Sequence, residues 1–217
     1  MEGERVITIA VARGRILAEA EALLRRAGVT TSPLPRDSRR LIIEFPDDGV
    51  RLLVVRPVDV PAYVDYGAAD CGIVGLDTLL EESHDLYEPL DLGIARCKLV
   101  VAAPCGFELS SGAVVRVATK YPNIATEYFA KKGVSAEMVK LYGSVELAPL
   151  VGLSDAIVDL SATGETLRSN NLVELEKITD VTARLVVNRV SMKIKRGEIK
   201  GMIERLRAAR AEGRGAA

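Results

Sequence analysis

The stretch AIVDLSATGETL, Ala156 to Leu167, shows the unit from which this chain is built. An apolar run (Ala156, Ile157, Val158), fit for a buried strand, ends in one carboxylate, Asp159. Two threonines then bracket a glycine, Thr163-Gly164-x-Thr166, and a helix-compatible segment follows. The turn between strand and helix carries chemistry. An acid where a strand ends can accept hydrogen bonds from a pair of sugar hydroxyls. A Thr-Gly-x-Thr turn opening a helix can offer backbone N–H groups and two hydroxyls to a phosphate, with the helix dipole in its favour. Together these suit a sugar phosphate, although the same spacing also fits a plain strand, a polar turn and a helix cap.

Alternation of strand and helix continues on both sides of this unit. Val6 to Val11 is a short apolar run, and Arg13-Gly14-Arg15 leads into a helical pattern with Ile16, Leu17, Ala20, Leu23, Leu24 and Ala27 on one face, closed by Gly28. LIIEF and RLLVV flank Pro46 to Gly49 and read as a hairpin. Helical and strand patterns then alternate through VPAYVDYGAA, CGIVG, DTLLEE, Leu99–Ala103, Val114–Ala118, a helix through Ala130, Met138–Leu141 and Val145–Val151. Val181 to Val187 returns as a strand, and Lys193 to Ala211 reads as one amphipathic helix. Such alternation predicts an α/β fold with mostly parallel sheets.

The segment GAADCGIVG, Gly67 to Gly75, divides the architecture. Glycines around a short strand allow close backbone approach, which suits a lobe facing a cleft. The expectation is two α/β lobes with a central cleft and a ligand between them. Lobe I is placed at 1–96 plus 179–217, and lobe II, carrying the 161–166 loop, at 97–178. Ligands of open α/β sheets bind at the carboxyl ends of strands, where most of these motifs fall.

Composition narrows the class further. The 217 residues, 48% of them apolar, are enough to bury a real core. A net charge of −1 gives no global pull toward nucleic acid or anionic membrane. No apolar run approaches the ~20 residues needed to cross a bilayer, and MEGERVITIA does not read as a signal peptide. Cys71, Cys97 and Cys105 show no metal-ligand spacing, and they are expected to be reduced, small buried side chains in a cytoplasmic protein.

Six ordered stretches, ITIAVARGRIL, RPVDVPAYVDYGAADCGIVGLDTLL, VRVATKYPNIA, KLYGSVELAPLVGL, AIVDLSATGETL and ARLVVNRVS, carry a resemblance that covers nearly the whole chain, from Ile7 to about Lys195. The chain resembles the short form of ATP phosphoribosyltransferase, the first enzyme of histidine biosynthesis. The resemblance implies a bilobal fold like that of periplasmic solute-binding proteins. It also implies a reaction: N1 of the ATP adenine attacks C1 of 5-phosphoribosyl 1-diphosphate and expels pyrophosphate.

That chemistry needs charge neutralisation more than a base. Adenine N1 attacks through a free lone pair, while a cationic ribose centre develops and a multiply charged diphosphate departs. Arginine pairs with phosphate oxygens in a bidentate way and keeps its charge. The chain supplies Arg13, Arg15, Arg39, Arg40 and Arg56 at or near strand ends. By resemblance, Arg15 contacts the diphosphate and Arg39 belongs to the same group, and both are expected to be catalytic. Arg13 stands where the family usually has lysine. Arg13, Arg40 and Arg56 are expected to bind substrate; Arg40 and Arg56 fit surface or structural charges equally well. Asp159 is expected to orient the ribose hydroxyls, and Ser161, Ala162, Thr163, Gly164, Glu165 and Thr166 to cradle the 5-phosphate. Glu165 lies close to that phosphate, so its side chain is expected to point away. Thr119, Lys120 and Tyr121 suit a nucleotide phosphate or the adenine, and Glu146 the ribose or its metal; a helix-surface acid explains Glu146 as well. Magnesium is expected to arrive chelated by the diphosphate, with no dedicated protein cage. Asp70 is expected to brace the cleft.

From Lys193 to Arg214 the chain holds eight Lys/Arg against three Glu, which reads as a solvated helix face rather than a nucleic-acid site. Long-form relatives carry a further histidine-binding domain after this helix. By resemblance the short form depends on a histidyl-tRNA-synthetase-like regulatory subunit, with this chain a homodimer within a hetero-oligomer. Two rivals stand beside this reading. A bilobal small-molecule-binding module without catalysis would share the fold. A type I phosphoribosyltransferase would share the Thr-Gly-x-Thr turn, but it places two adjacent acids where Asp159-Leu160 stands here.

Overall fold

The structure is a computed structural model that describes residues 6–35, 40–109 and 114–214. Its first half contains β1 (Ile7–Ala12), α1 (Arg15–Arg26), β2 (Ile42–Phe45), β3 (Val50–Val55), α2 (Val60–Asp65), β4 (Cys71–Gly75), α3 (Leu76–Glu81) and β5 (Tyr87–Asp91). There follow β6 (Cys97–Pro104), β7 (Val115–Thr119), α4 (Pro122–Lys131), β8 (Ala136–Lys140), α5 (Leu147–Leu150), β9 (Ala156–Ser161) and α6 (Glu165–Ser169). The chain closes with β10 (Leu172–Val181), β11 (Ala183–Val187), α7 (Arg189–Ile194) and α8 (Arg196–Arg214). Two compact units result: Met1–Ala95 with Thr182–Ala217, and Arg96–Val181. The second crossing comes three residues later than the sequence suggested, because β10 stays paired to β6 as far as Val181.

Unit 1 is a six-stranded sheet in the order β2-β3-β1-β4-β11-β5. Helices cover both faces, which is why its central strands read as unbroken apolar runs. Successive side chains of β1 enter different clusters: Ile9 and Val11 pack with Leu23, Leu24, Ile199 and Met202, whereas Ala10 and Ala12 pack with Val60 and Val64. Each large side chain buried in this way contributes about 1.5–3 kcal/mol. Gly72 shows what its type is for: a Cβ there would stand 2.8 Å from side-chain carbons of both Val60 and Val64. The glycine brings α2 down onto β4, the close approach that the glycines of this segment predict.

Asp70 likewise serves unit 1 internally. Its carboxylate accepts from the Thr8 amide (2.9 Å), the Ser191 hydroxyl (2.7 Å) and the Lys195 ammonium (2.7 Å), joining β1, the entry to β4 and the last helices. That requirement explains why the C-terminal helical pattern is split into α7 and α8, with Lys195 at the break. Of the cysteines only Cys71 is buried, where desolvation pushes its thiol far above the ordinary range; Cys97 is half-buried and Cys105 exposed.

Unit 2 has a five-stranded sheet, β10-β6-β9-β7-β8. Ala118, Ile157, Ala148, Leu167 and Leu172 pack in its core. The expectation of mostly parallel sheets is corrected here. β1 is parallel to β3 and β4, and β7 to β8 and β9, but the other five pairings are antiparallel. The hairpin β2–β3 and the returning strands β10 and β11 supply most of these, since a strand that re-enters an α/β sheet from a hairpin or a second unit need not follow the βαβ direction. VPAYVDYGAA is helical only over Val60–Asp65, then turns through Gly67.

Candidate functional site

In unit 2 the pairing of three parallel strands ends at one level, with Thr119 opposite Lys140 on one side and Val158 on the other. Thr119 is fully buried. Its hydroxyl donates to the Val158 carbonyl (2.7 Å) and accepts from the Tyr121 amide (2.9 Å). This corrects the expectation that Thr119 touches substrate: the group is committed to holding the next two residues in place. Lys120 emerges from that clasp with its ammonium 3.8 Å from a carboxylate oxygen of Asp159. Tyr121 is half-buried at the start of α4.

Asp159 does not end its strand. β9 runs on to Ser161, but beyond Val158 it pairs with β6 alone, Val100 opposite Asp159 and Lys98 opposite Ser161. The acid therefore stands one step past the last β7 pairing. It is 7% exposed, and its Oδ1 accepts from the Leu160 amide at 2.8 Å.

The 161–166 loop follows directly. Ser161 is buried, and its hydroxyl has no hydrogen-bond partner among the described residues. A buried hydroxyl left in that state costs about 1–3 kcal/mol, which a ligand oxygen would relieve. The amides of Ala162, Thr163 and Gly164 make no hydrogen bond among the described residues either. Gly164 adopts φ +75°, and the Glu165 amide donates back to the Thr163 hydroxyl at 3.3 Å. Glu165 and Thr166 are exposed. Glu146 is half-buried just before α5 and makes no hydrogen bond to another described residue.

Sequence reasoning missed one residue here. The Arg168 guanidinium lies 3.0 Å from where a Cβ on Gly164 would be, and no carboxylate among the described residues pairs with it. Helical side chains lean toward the amino end and meet residues four back, so the Gly164–Arg168 spacing was the available signal. A cavity of about 300 Å³ beside the loop is lined by Ala162, Thr163, Gly164, Arg168, Lys98 and Glu174.

In unit 1 the candidate arginines gather at one end of the sheet by register. Arg13 follows β1 and Arg56 follows β3, whose last residues Ala12 and Val55 are partners, and the Arg13 amide donates to the Val55 carbonyl (2.9 Å). The Val54 amide donates to the Leu41 carbonyl (2.8 Å), which brings Arg40 in at the same end. Arg13, Arg40 and Arg56 are exposed. Arg15 opens α1 and donates from Nη2 to the Ala95 carbonyl at 2.9 Å, while Glu19 accepts from the Ala95 amide at 2.7 Å. Ala95, at φ +52°, is thus held from α1 on both sides of its peptide. Half of the Arg15 side chain still reaches solvent. Arg39 lies outside the described residues.

A loop with open amides and an orphaned hydroxyl at a carboxyl strand end, together with arginines at another, narrows the choice of relatives. The family profile for ATP phosphoribosyltransferase matches residues 56–208. The chain belongs to the ATP phosphoribosyltransferase family. It is 53% identical over 204 residues to "ATP phosphoribosyltransferase 2" of Geobacter sulfurreducens, covering 92% of this chain and 96% of the relative. It is 54% identical over 210 residues to the ATP phosphoribosyltransferase of Methylococcus capsulatus, with 95% and 98% covered. Among solved structures it matches the ATP phosphoribosyl transferase (HisG:HisZ) complex from Thermotoga maritima, with a TM-score of 0.81 at 35% identity over 95% of this chain and all of that one. The periplasmic aliphatic sulphonate binding protein of Escherichia coli matches with a TM-score of 0.65 at 13% identity, covering 97% and 74%, a likeness of fold alone.

Proposed function

We propose that this member of the family transfers the phosphoribosyl group of 5-phosphoribosyl 1-diphosphate to N1 of the ATP adenine, releasing pyrophosphate, as the first step of histidine biosynthesis. The observation that carries the reading is the 159–164 segment: a half-neutralised carboxylate, a buried hydroxyl without a partner and three open amides, in a chain whose family does this chemistry. The N1 lone pair forms the new bond to ribose C1 as the C1–oxygen bond breaks, and the electron pair leaves on the diphosphate. No base is required for the attack.

The work divides by unit. In unit 2 the loop amides, the Ser161 hydroxyl and the Thr163 and Thr166 hydroxyls hold the 5-phosphate, and Arg168 offsets the charge of Glu165 beside it. Asp159 accepts from the ribose hydroxyls, with the Lys120 ammonium beside it. In unit 1 Arg15, with Arg13, Arg40 and Arg56, takes the polyphosphate oxygens, and Arg39 is assigned to the same group. Charge-assisted hydrogen bonds of this kind contribute about 1.5–3 kcal/mol each.

Magnesium in this proposal is carried by the diphosphate. Asp159 faces an ammonium rather than a second acid, and among the described residues no cluster of three or more His, Cys, Asp or Glu is placed around a metal. That donor set suits an ion delivered with its anion. When bound, magnesium neutralises part of the diphosphate charge. We also assign the chain to the cytoplasm; no helix among the described residues is long and apolar enough to cross a membrane.

The Thermotoga relative was solved as a complex of two kinds of subunit. That precedent supports a second kind of subunit for this chain; our reading makes that partner a histidyl-tRNA-synthetase-like regulatory subunit and the chain itself a homodimer, with histidine inhibiting only in the partner's presence. Inhibition of the purified chain alone would overturn that part. The catalytic reading is tested by mixing the chain with ATP, 5-phosphoribosyl 1-diphosphate and Mg²⁺ and following the ultraviolet change of an N1-substituted adenine. A binding module would give no turnover.

A further inference from the structure

The basic C-terminal segment holds a feature that the proposed reaction does not use. Met192 and Lys193 of α7 and Arg196 and Lys200 of α8 line a cavity of about 510 Å³ against Tyr87 and Pro89 of β5. β5 is an edge strand, at the other end of the unit 1 sheet from β3 and β2. The cavity is therefore separate from the arginines that leave β1 and β3.

Its charge is uncompensated. Lys193, Arg196 and Lys200 have no carboxylate partner among the described residues. The acids that could serve them are already engaged. Glu88, which also lines the cavity, pairs with Arg184 at 2.8 Å, and Asp85 pairs with Arg189. Arg196 and Lys200 are four apart in the first turns of a helix, where like charges repel and the helix dipole disfavours cations. Local rules broken without a compensating contact are expected at functional sites. Beside the cations, Tyr87, Pro89 and Met192 offer an apolar surface, and the Tyr87 ring carries the Arg189 guanidinium 5.3 Å from its centroid. Pro89 leaves this edge short of an N–H donor, which disfavours an added strand as the occupant.

We infer that this cavity binds a phosphorylated compound with an apolar ring, its phosphates on Lys193, Arg196 and Lys200 and its ring against Tyr87, Pro89 and Met192. Volume and lining, a few convergent charges on an otherwise apolar wall, are those of a small-molecule site.

The test uses the full chain and titration calorimetry with ADP and, separately, with pyrophosphate. The triple variant K193Q/R196Q/K200Q should bind one ADP fewer per chain than the wild type while keeping its turnover. Equal stoichiometry in the two proteins overturns the inference. Tyr87→Ala should weaken this ADP site at least fivefold and leave pyrophosphate at the cations unchanged; equal losses for the two ligands would reject the ring contact and with it the ligand class. Should the triple variant fold poorly, Lys200→Gln and Arg196→Gln alone should each weaken the site at least threefold at low salt, and unaltered affinity in both overturns it. The readout is a difference between proteins, so it stands whether or not ADP also occupies the transferase site.

Discussion

The two ends of parallel sheet that carry the candidate residues are built in different ways. In unit 2 the backbone does most of the shaping. Thr119 spends its hydroxyl on fixing Lys120 and Tyr121, Asp159 is nearly buried, and the loop keeps Ser161 and three amides in wait. In unit 1 the register of β1, β2 and β3 delivers Arg13, Arg40 and Arg56 to one exposed end, and Arg15 is tied down through Ala95. Geometry governs the first region and charge the second. A preorganised set of donors discriminates one sugar phosphate. An exposed arginine group accepts any polyphosphate, but strongly.

The contrast can be broken most severely at Arg15. Arg15→Ala should lower turnover by about 100-fold or more while the chain stays folded, since Glu19 still holds Ala95. Unchanged turnover with a lowered melting temperature would make Arg15 a structural tie. Next comes Gly164→Ala, which imposes a Cβ at φ +75° and crowds Arg168. It should raise KM for 5-phosphoribosyl 1-diphosphate by about 10- to 100-fold, equivalent to one or two charge-assisted hydrogen bonds, and leave KM for ATP within twofold. Asp159→Asn should weaken binding of the same substrate by about tenfold; an unchanged dissociation constant by calorimetry would reassign the acid to the fold. Arg13→Gln and Arg56→Gln should each cost about three- to tenfold at low salt and almost nothing at 0.5 M, because exposed charges are screened. A salt-independent loss would show that these side chains work by fixed geometry after all.

The smallest effect concerns pH. In unit 2 the hydrogen bond from Lys132, then that from Tyr128, holds the Glu176 carboxyl below its usual range, and the Arg116 side chain and amide do the same for Asp155. In unit 1 burial alone would raise Asp91, but the Gly93 amide, the Thr182 hydroxyl, Arg184 and Arg210 outweigh it. Depressed carboxyls stabilise the fold fully above their unfolded values near pH 4, and the contribution fades as pH falls through the lower folded values. Glu176→Gln should therefore narrow the difference in melting temperature between pH 7 and pH 3. An identical difference in the variant would remove Glu176 from the acid limb.

Much of this was legible in the residues. β1 and β4 read correctly because strands covered on both faces are continuous apolar runs, as did β9 as far as Val158, though it runs on to Ser161; the β2–β3 hairpin was marked by its Pro-Asp-Asp-Gly turn. β5 and β10 were not seen. Both are edge strands: YEPLD holds a proline and two acids, and LVELEKITDV alternates poorly because β10 slips register twice against β6. With one neighbour and one wet face, such strands lose the pattern that betrays buried ones. At the site, the strand-end threonine advertised a hydroxyl but not that two backbone groups would consume it. Arg168 carried no reading in the sequence, because only the fold lays it over Gly164. Asp70 read as a brace, but what it braces was hidden, because its three partners lie 62 to 125 residues away along the chain.

The position of β11 has a consequence for how the protein is made. β11 lies between β4 and β5, so until residues 183–187 leave the ribosome β5 has no strand to pair with and the first unit stays open at one side. Unit 2, a continuous stretch, is free to close before that. The nascent chain thus finishes its middle before its beginning, and truncation anywhere ahead of Val187 should leave an unpaired strand exposed to aggregation rather than a smaller working protein.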